Sequence, residues 1–102
     1  MHKATEHTRI NPEVKRAVFE RDGGVCLWCG RWGIPEAHYI PRSKMGLGVE
    51  ENILTLCRPC HDLFDRGTRK QREKMREHFR GYLKSCYPDW DEEKLIYHKE
   101  DY

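Results

Sequence analysis

The chain has 102 residues, of which 37% are hydrophobic and 35% charged, the profile of one small domain with a thin core. No apolar run approaches the roughly eighteen residues of a membrane-spanning helix. Nineteen Lys and Arg against 17 Asp and Glu leave a net charge of +2, too little by itself to argue for a nucleic-acid partner. The N-terminal residues show no apolar segment and no small-residue cleavage site, so no secretory leader is expected. The five cysteines are therefore read in a reducing, cytoplasmic setting, where metal ligation is favoured over disulfides.

Residues 1–10 are polar and aperiodic and read as a flexible arm. Asn11 as N-cap, Pro12 at the first helical position and Glu13 in the first turn predict a helix that ends at Gly23-Gly24. Val14, Ala17 and Val18 form its apolar stripe, with Phe19 near the edge. A tight turn is expected at Cys26-Leu27-Trp28-Cys29-Gly30, then an edge strand over Glu36–Ile40, bounded by Pro35 and Pro41. A loop with Gly46 and Gly48 covers Arg42–Glu51, and a second strand follows over Ile53–Leu56. Cys57-Arg58-Pro59-Cys60 forms another tight turn, and a short helix runs from His61 to Arg66, stopped by Gly67. Thr68, with Gln71 three residues on, predicts a capped helix through about Ser85 whose buried face carries Met75, Phe79, Tyr82, Leu83 and Cys86. Charge is unevenly spread. Residues 68–87 hold seven Lys/Arg and two Glu, a balance of +5, whereas residues 88–102 hold two Lys and six Asp/Glu, a balance of −4.

Cys26-x-x-Cys29 and Cys57-x-x-Cys60 each present two thiolates from one turn, and two such turns complete a tetrahedron around a structural Zn²⁺. A redox CxxC needs no second copy. Cys86, on the apolar stripe of the last helix, reads as core.

Between and just after these pairs lie Glu36-Ala37-His38-Tyr39-Ile40-Pro41-Arg42-Ser43, then Asn52, then Cys60-His61. Together with the lead-in from Lys15 to Gly23 and the cysteine frame, their order and spacing resemble the HNH endonuclease family over about residues 15–67. The resemblance implies an α+β fold: a small ββα-metal domain stapled by a four-cysteine zinc site, with flanking N- and C-terminal helices. The chain would then comprise the arm (1–10), a nuclease core (11–67), and a basic helix with an acidic tail packed on the same domain (68–102).

The resemblance also implies metal-dependent hydrolysis of DNA phosphodiester bonds. His38 takes the place of the general base. Asn52 is placed like the residue that tethers the loop or directs His38, and His61 like a ligand of a catalytic divalent ion (Mg²⁺, Mn²⁺, Ni²⁺ or Zn²⁺). Many members carry Asp or His just before the general base, where this chain has Ala37. That leaves Asp65, at i+4 from His61, and Glu36, on the same side of the strand as His38, as candidate carboxylate ligands. His2, His7, His78 and His98 read as ordinary surface or hydrogen-bonded residues. Arg42 and Lys44 beside the site, and Arg69, Lys70, Arg72 and Arg76 on the last helix, suit phosphate contacts. The implied setting is a bacterial or phage-infected cytoplasm, with DNA and phage terminase subunits as partners, no membrane, and a monomer or weak dimer. The rival reading is a non-catalytic zinc-binding module that grips nucleic acid or protein through the basic helix.

Overall fold

The computed structural model describes residues 3–98. Its elements are α1 (Lys3–Thr8), α2 (Pro12–Asp22), β1 (Ile34–His38), β2 (Ile53–Leu56), α3 (Arg58–Arg66) and α4 (Arg69–Cys86), with short 3₁₀ turns at Arg42–Lys44, Glu50–Asn52 and Glu92–Leu95. The architecture is α+β: β1 and β2 form a two-stranded antiparallel sheet, and helices pack around it. No helix among the described residues is long and apolar enough to cross a membrane.

Local chemistry accounts for most boundaries. α2 opens with Asn11 and Pro12 and closes on Gly23. α4 opens with a complete capping box, the Thr68 hydroxyl accepting from Gln71 N and the Gln71 side chain accepting from Thr68 N. α3 begins at Arg58, earlier than the expected His61, because Pro59 is compatible with a first helical turn. Cys60 and His61 therefore both ride on its opening turn.

β1 also sits two residues earlier than expected. Ile34 pairs with Leu56, Ala37 with Leu54 and His38 with Ile53, and a bulge between Ile34 and Ala37 absorbs Pro35, which has no N–H to give the ladder.

The core lies between the sheet, α3 and α4, where Ala37, Tyr39, Leu54, Leu56, Phe64, Met75, Phe79 and Leu83 are buried. Phe64 and Phe79 meet edge to face with ring centroids 5.1 Å apart. Of the predicted α4 face, Tyr82 and Cys86 are only half-buried. Tyr82 instead donates from its hydroxyl to buried Asp22, whose other oxygen accepts from Thr55 N, while Arg21 pairs with the same carboxylate.

Both chain ends depart from expectation. The segment read as a flexible arm is a helix over Lys3–Thr8, with Thr8 buried. Gly48 N donates to His7 O at 3.0 Å, a Cβ at position 48 would overlap the Arg9 carbonyl, and the His7 ring stacks on Tyr97 with centroids 4.8 Å apart. At the other end, residues 88–98 pack on the domain. Leu47 N donates to Leu95 O, Tyr97 N donates to Met45 O, and the Trp90 indole donates to Glu51 O, each at 2.8 Å. His2 and the last acidic residues, Glu100 and Asp101, lie outside the described residues.

Candidate metal centre and adjoining histidine cavity

Two chain turns converge on four thiols. Cys26 and Cys29 come from the turn after α2, where Cys26 N donates to Arg31 O and Gly30 N donates to Cys26 O. Cys57 precedes α3 and Cys60 lies in its first turn. All four Sγ atoms lie within 4.8 Å of one another, and Cys29 and Cys57 are 3.5 Å apart. A tetrahedral centre with metal–sulfur bonds of about 2.3 Å needs edges of about 3.8 Å, so the cluster can hold a metal ion.

The ionisation of the thiols fits the same use. Burial opposes a thiolate at Cys26, but N–H groups of Cys29, Cys57 and Trp28 outweigh it and bring the group down to about 7. Burial, joined by the neighbouring thiols, pushes Cys60 well above the ordinary thiol range, and burial raises Cys57 as well. A bound dication reverses that resistance by neutralising the thiolates.

Where the His38 end of β1 meets α3 lies an open cavity of about 430 Å³. β1 supplies Glu36 and His38, α3 supplies His61 and Asp65, and Arg9, Lys15 and Arg42 bring cations to its rim. His61 Nε2 and Asp65 Oδ2 are 3.4 Å apart. Glu36 shares the cavity but is engaged by Lys15, with Nζ and Oε1 3.1 Å apart. His38 Nε2 is 2.8 Å from Thr8 O, so Nε2 carries the proton, donates to that carbonyl and leaves the Nδ1 lone pair available. Burial, the largest influence, holds the His38 pKa below its usual value against the opposing pull of the Thr8 carbonyl. Arg42 is fixed to the same residue, its Nε donating to Thr8 Oγ1 at 3.2 Å.

Asn52 is fully buried beneath the loop rather than in the cavity. Its Oδ1 accepts from Ile40 N at 2.8 Å, and its Nδ2 donates to Ile40 O and Leu47 O. Of the two roles open to it, the geometry is that of a loop tether. Gly46 completes the arrangement, since a Cβ there would overlap the Ile40 carbonyl.

The basic residues divide. Lys44, Arg72 and Arg76 line a second cavity that shares His38 and Asp65 with the first. A third adds Arg69, with Glu92 and Glu93 at its far side, while Lys70 lines none of them. Arg76 is pinned, donating to Tyr39 O at 2.7 Å with its guanidinium 4.9 Å from the Tyr39 and Phe64 rings. Arg69 pairs with Glu73, and Arg72 Nε donates to Gly67 O. Thr8, Arg9 and Lys15 carry no sequence signal as site residues: Thr8 acts through its carbonyl and hydroxyl on His38 and Arg42, and tertiary packing brings Arg9 and Lys15 to the cavity. Tyr39 is fully buried, and its hydroxyl bonds to Glu92 and accepts from Arg80. Neither a protein-family model nor a curated protein matches the chain.

Proposed function

We propose that the protein is a metal-dependent endonuclease of the HNH type, built around a structural Zn²⁺ at Cys26, Cys29, Cys57 and Cys60. The observation that carries this reading is the cavity that gathers His38, His61 and Asp65 beneath Arg9, Lys15 and Arg42. A general base, two metal-competent donors and several phosphate-binding cations thus face one space.

The geometry supports these roles for the residues of the cavity. His38, held through Nε2–H on the Thr8 carbonyl, accepts a proton from the attacking water at Nδ1. The His61 imidazole and Asp65 carboxylate are donors suited to Mg²⁺, Mn²⁺, Ni²⁺ or Zn²⁺, and a divalent ion there supplies Lewis-acid stabilisation of charge on phosphate oxygens. Arg42, and beyond it Lys44 and Arg72, hold the backbone phosphates without reading bases. Glu36 acts first as the partner of Lys15. DNA is the substrate this reading favours, and the same plasmid assay run against RNA of equal length separates the two.

Incubation of supercoiled plasmid with purified protein and each divalent ion tests it. Wild type is expected to nick or linearise the plasmid only with an added ion, and His38→Ala to lose about 100-fold or more of the rate. Inert wild type with every ion, or a His38→Ala protein that cuts like wild type, returns the chain to a non-catalytic zinc-binding module.

A further inference from the structure

The helix that carries Thr8 is too short to place itself. α1 spans six residues, whereas an isolated helix needs about 12–15 to persist in water. Yet Thr8 makes two contacts with the candidate site: its carbonyl accepts from His38 Nε2 at 2.8 Å, and its hydroxyl accepts from Arg42 Nε at 3.2 Å. A shift of this one residue moves the ring of the base and an adjacent cation together. The constraint that α1 lacks comes from the loop segment at residues 45–48. Leu47 N donates to Leu95 O and Tyr97 N donates to Met45 O, each at 2.8 Å, and Gly46 forms an antiparallel bridge with Ile96. The C-terminal segment thus runs beside this loop. Gly48 N points instead to α1, donating to His7 O at 3.0 Å.

Two contacts fix how closely α1 approaches. At Gly48 backbone meets backbone: a Cβ there would overlap the Arg9 carbonyl and stand 3.0 Å from the Thr8 oxygen. Neither obstacle is a flexible side chain, so a methyl group at position 48 is housed only by moving residues 8 and 9. At the second contact the His7 ring stacks on Tyr97, with centroids 4.8 Å apart and planes 20° from parallel. Tyr97 is itself buried, which gives the stack a fixed base. Neither Gly48 nor Tyr97 lines the His38 cavity, so their route to the site is through α1.

We propose that Gly48 and Tyr97 are positioning residues for His38: together they clamp α1 so that Thr8 O keeps its bond to the Nε2 proton and Nδ1 keeps the lone pair that takes the proton from water. This rests on the nuclease reading of the His38 cavity.

The test uses the full-length, zinc-loaded chain with no second ion added, and follows the His38 Nε2 proton by NMR at about pH 8, where histidine is neutral. In wild type the bond to Thr8 O is expected to protect that proton from exchange with solvent. Gly48→Ala and Tyr97→Ala are each expected to speed the exchange at least about fivefold, while Tyr97→Phe, which keeps a ring against His7, retains the protection. In plasmid cleavage with an added ion, the two alanine variants should lose about 10- to 100-fold in kcat with KM within about twofold of wild type. Alanine variants that lower Tm but leave the His38 proton protected overturn the proposal. So does a Tyr97→Phe chain as impaired as Tyr97→Ala. Should Gly48→Ala fail to fold by circular dichroism, the two Tyr97 variants decide alone. Faster exchange in the variants of a chain that cuts no plasmid under any ion sinks the catalytic reading alone; cleavage lost with the proton still protected sinks the clamp alone.

Discussion

His38 sits under opposing influences whose sum decides whether it can act as a base. Burial is the largest and lowers its pKa below the usual 6.5; the Thr8 carbonyl raises it, Arg42 and His61 lower it, and Asp65 raises it. The ring is consequently neutral at pH 7, the state that accepts a proton. Cleavage is expected to persist through pH 6.5 and to fall on the acid side with dependence on one proton. Arg42→Ala removes a positive neighbour, which stabilises the imidazolium and moves that acid limb toward higher pH. Profiles of kcat/KM against pH for the two proteins read this directly, and an unmoved or oppositely moved limb contradicts the placement of Arg42 beside the base. The same shift has a folding consequence. Unfolded His38 binds a proton near pH 6.5 and folded His38 does so only at lower pH, so its effect on stability improves as pH rises through the window below 6.5 and levels off above it.

At the scale of elements, the loop between β1 and β2 is tied from outside by backbone bonds at Met45, Leu47 and Gly48 and from within by the Asn52 side chain. Asn52→Ala leaves Ile40 N–H and the carbonyls of Ile40 and Leu47 without the partner they have now, at about 1–3 kcal/mol for each buried group. Asn52→Asp keeps the acceptor for Ile40 N but sets a carboxylate oxygen against two carbonyls, and is expected to destabilise at least as much. Thr68→Ala, which opens only an exposed capping box, should cost about 1 kcal/mol. Urea unfolding of the three variants ranks them, and equal midpoints for Asn52→Ala and Thr68→Ala would show that the loop does not depend on its tether. The contrast also marks what a sequence can disclose. Caps, glycine stops and the two CxxC turns are local signals, and α2, β2 and α4 fall where those signals put them. β1 is displaced by two residues because a proline that usually bounds a strand is absorbed in a bulge. α1 escapes notice because its anchors are tertiary: the carbonyls of His7 and Thr8, the Thr8 hydroxyl under Arg42 and the His7 ring stacked on Tyr97 leave no periodic pattern in the sequence. His38 and His61 are legible only through the resemblance in residue order, and Asp65 through its i+4 spacing from His61, whereas the Thr8 and Lys15 contributions depend on tertiary packing.

The molecule as a whole is a thin core with a sulfur cluster at its margin, and its stability should therefore depend on metal. Cys26, Cys57 and Cys60 are buried within the same cluster as Leu56, Phe64 and Phe79. Trp28, between the first two cysteines, packs edge-on against Phe79 of α4. One ion held at the four thiols would tie the loop after α2 to α3 and, through Trp28, to α4, and would supply stability that few apolar residues supply here. The chain is expected to purify with one equivalent of zinc and to lose its cooperative thermal transition when a strong chelator or a thiol-specific mercurial strips it. Cys57→Ser should weaken retention of the metal and lower Tm together. Because protons compete with metal for thiolates, retention should also fall as pH is lowered. The His61–Asp65 pair is expected to behave differently, since one imidazole and one carboxylate on an open cavity would hold an ion far more weakly than four thiolates. Mild chelation is then expected to abolish plasmid cleavage at an unchanged Tm, and only the stronger treatment to unfold the chain. A metal-free protein with the same thermal midpoint as the purified one would remove the cluster from any structural role, and loss of cleavage only upon unfolding would remove the separate ion at His61.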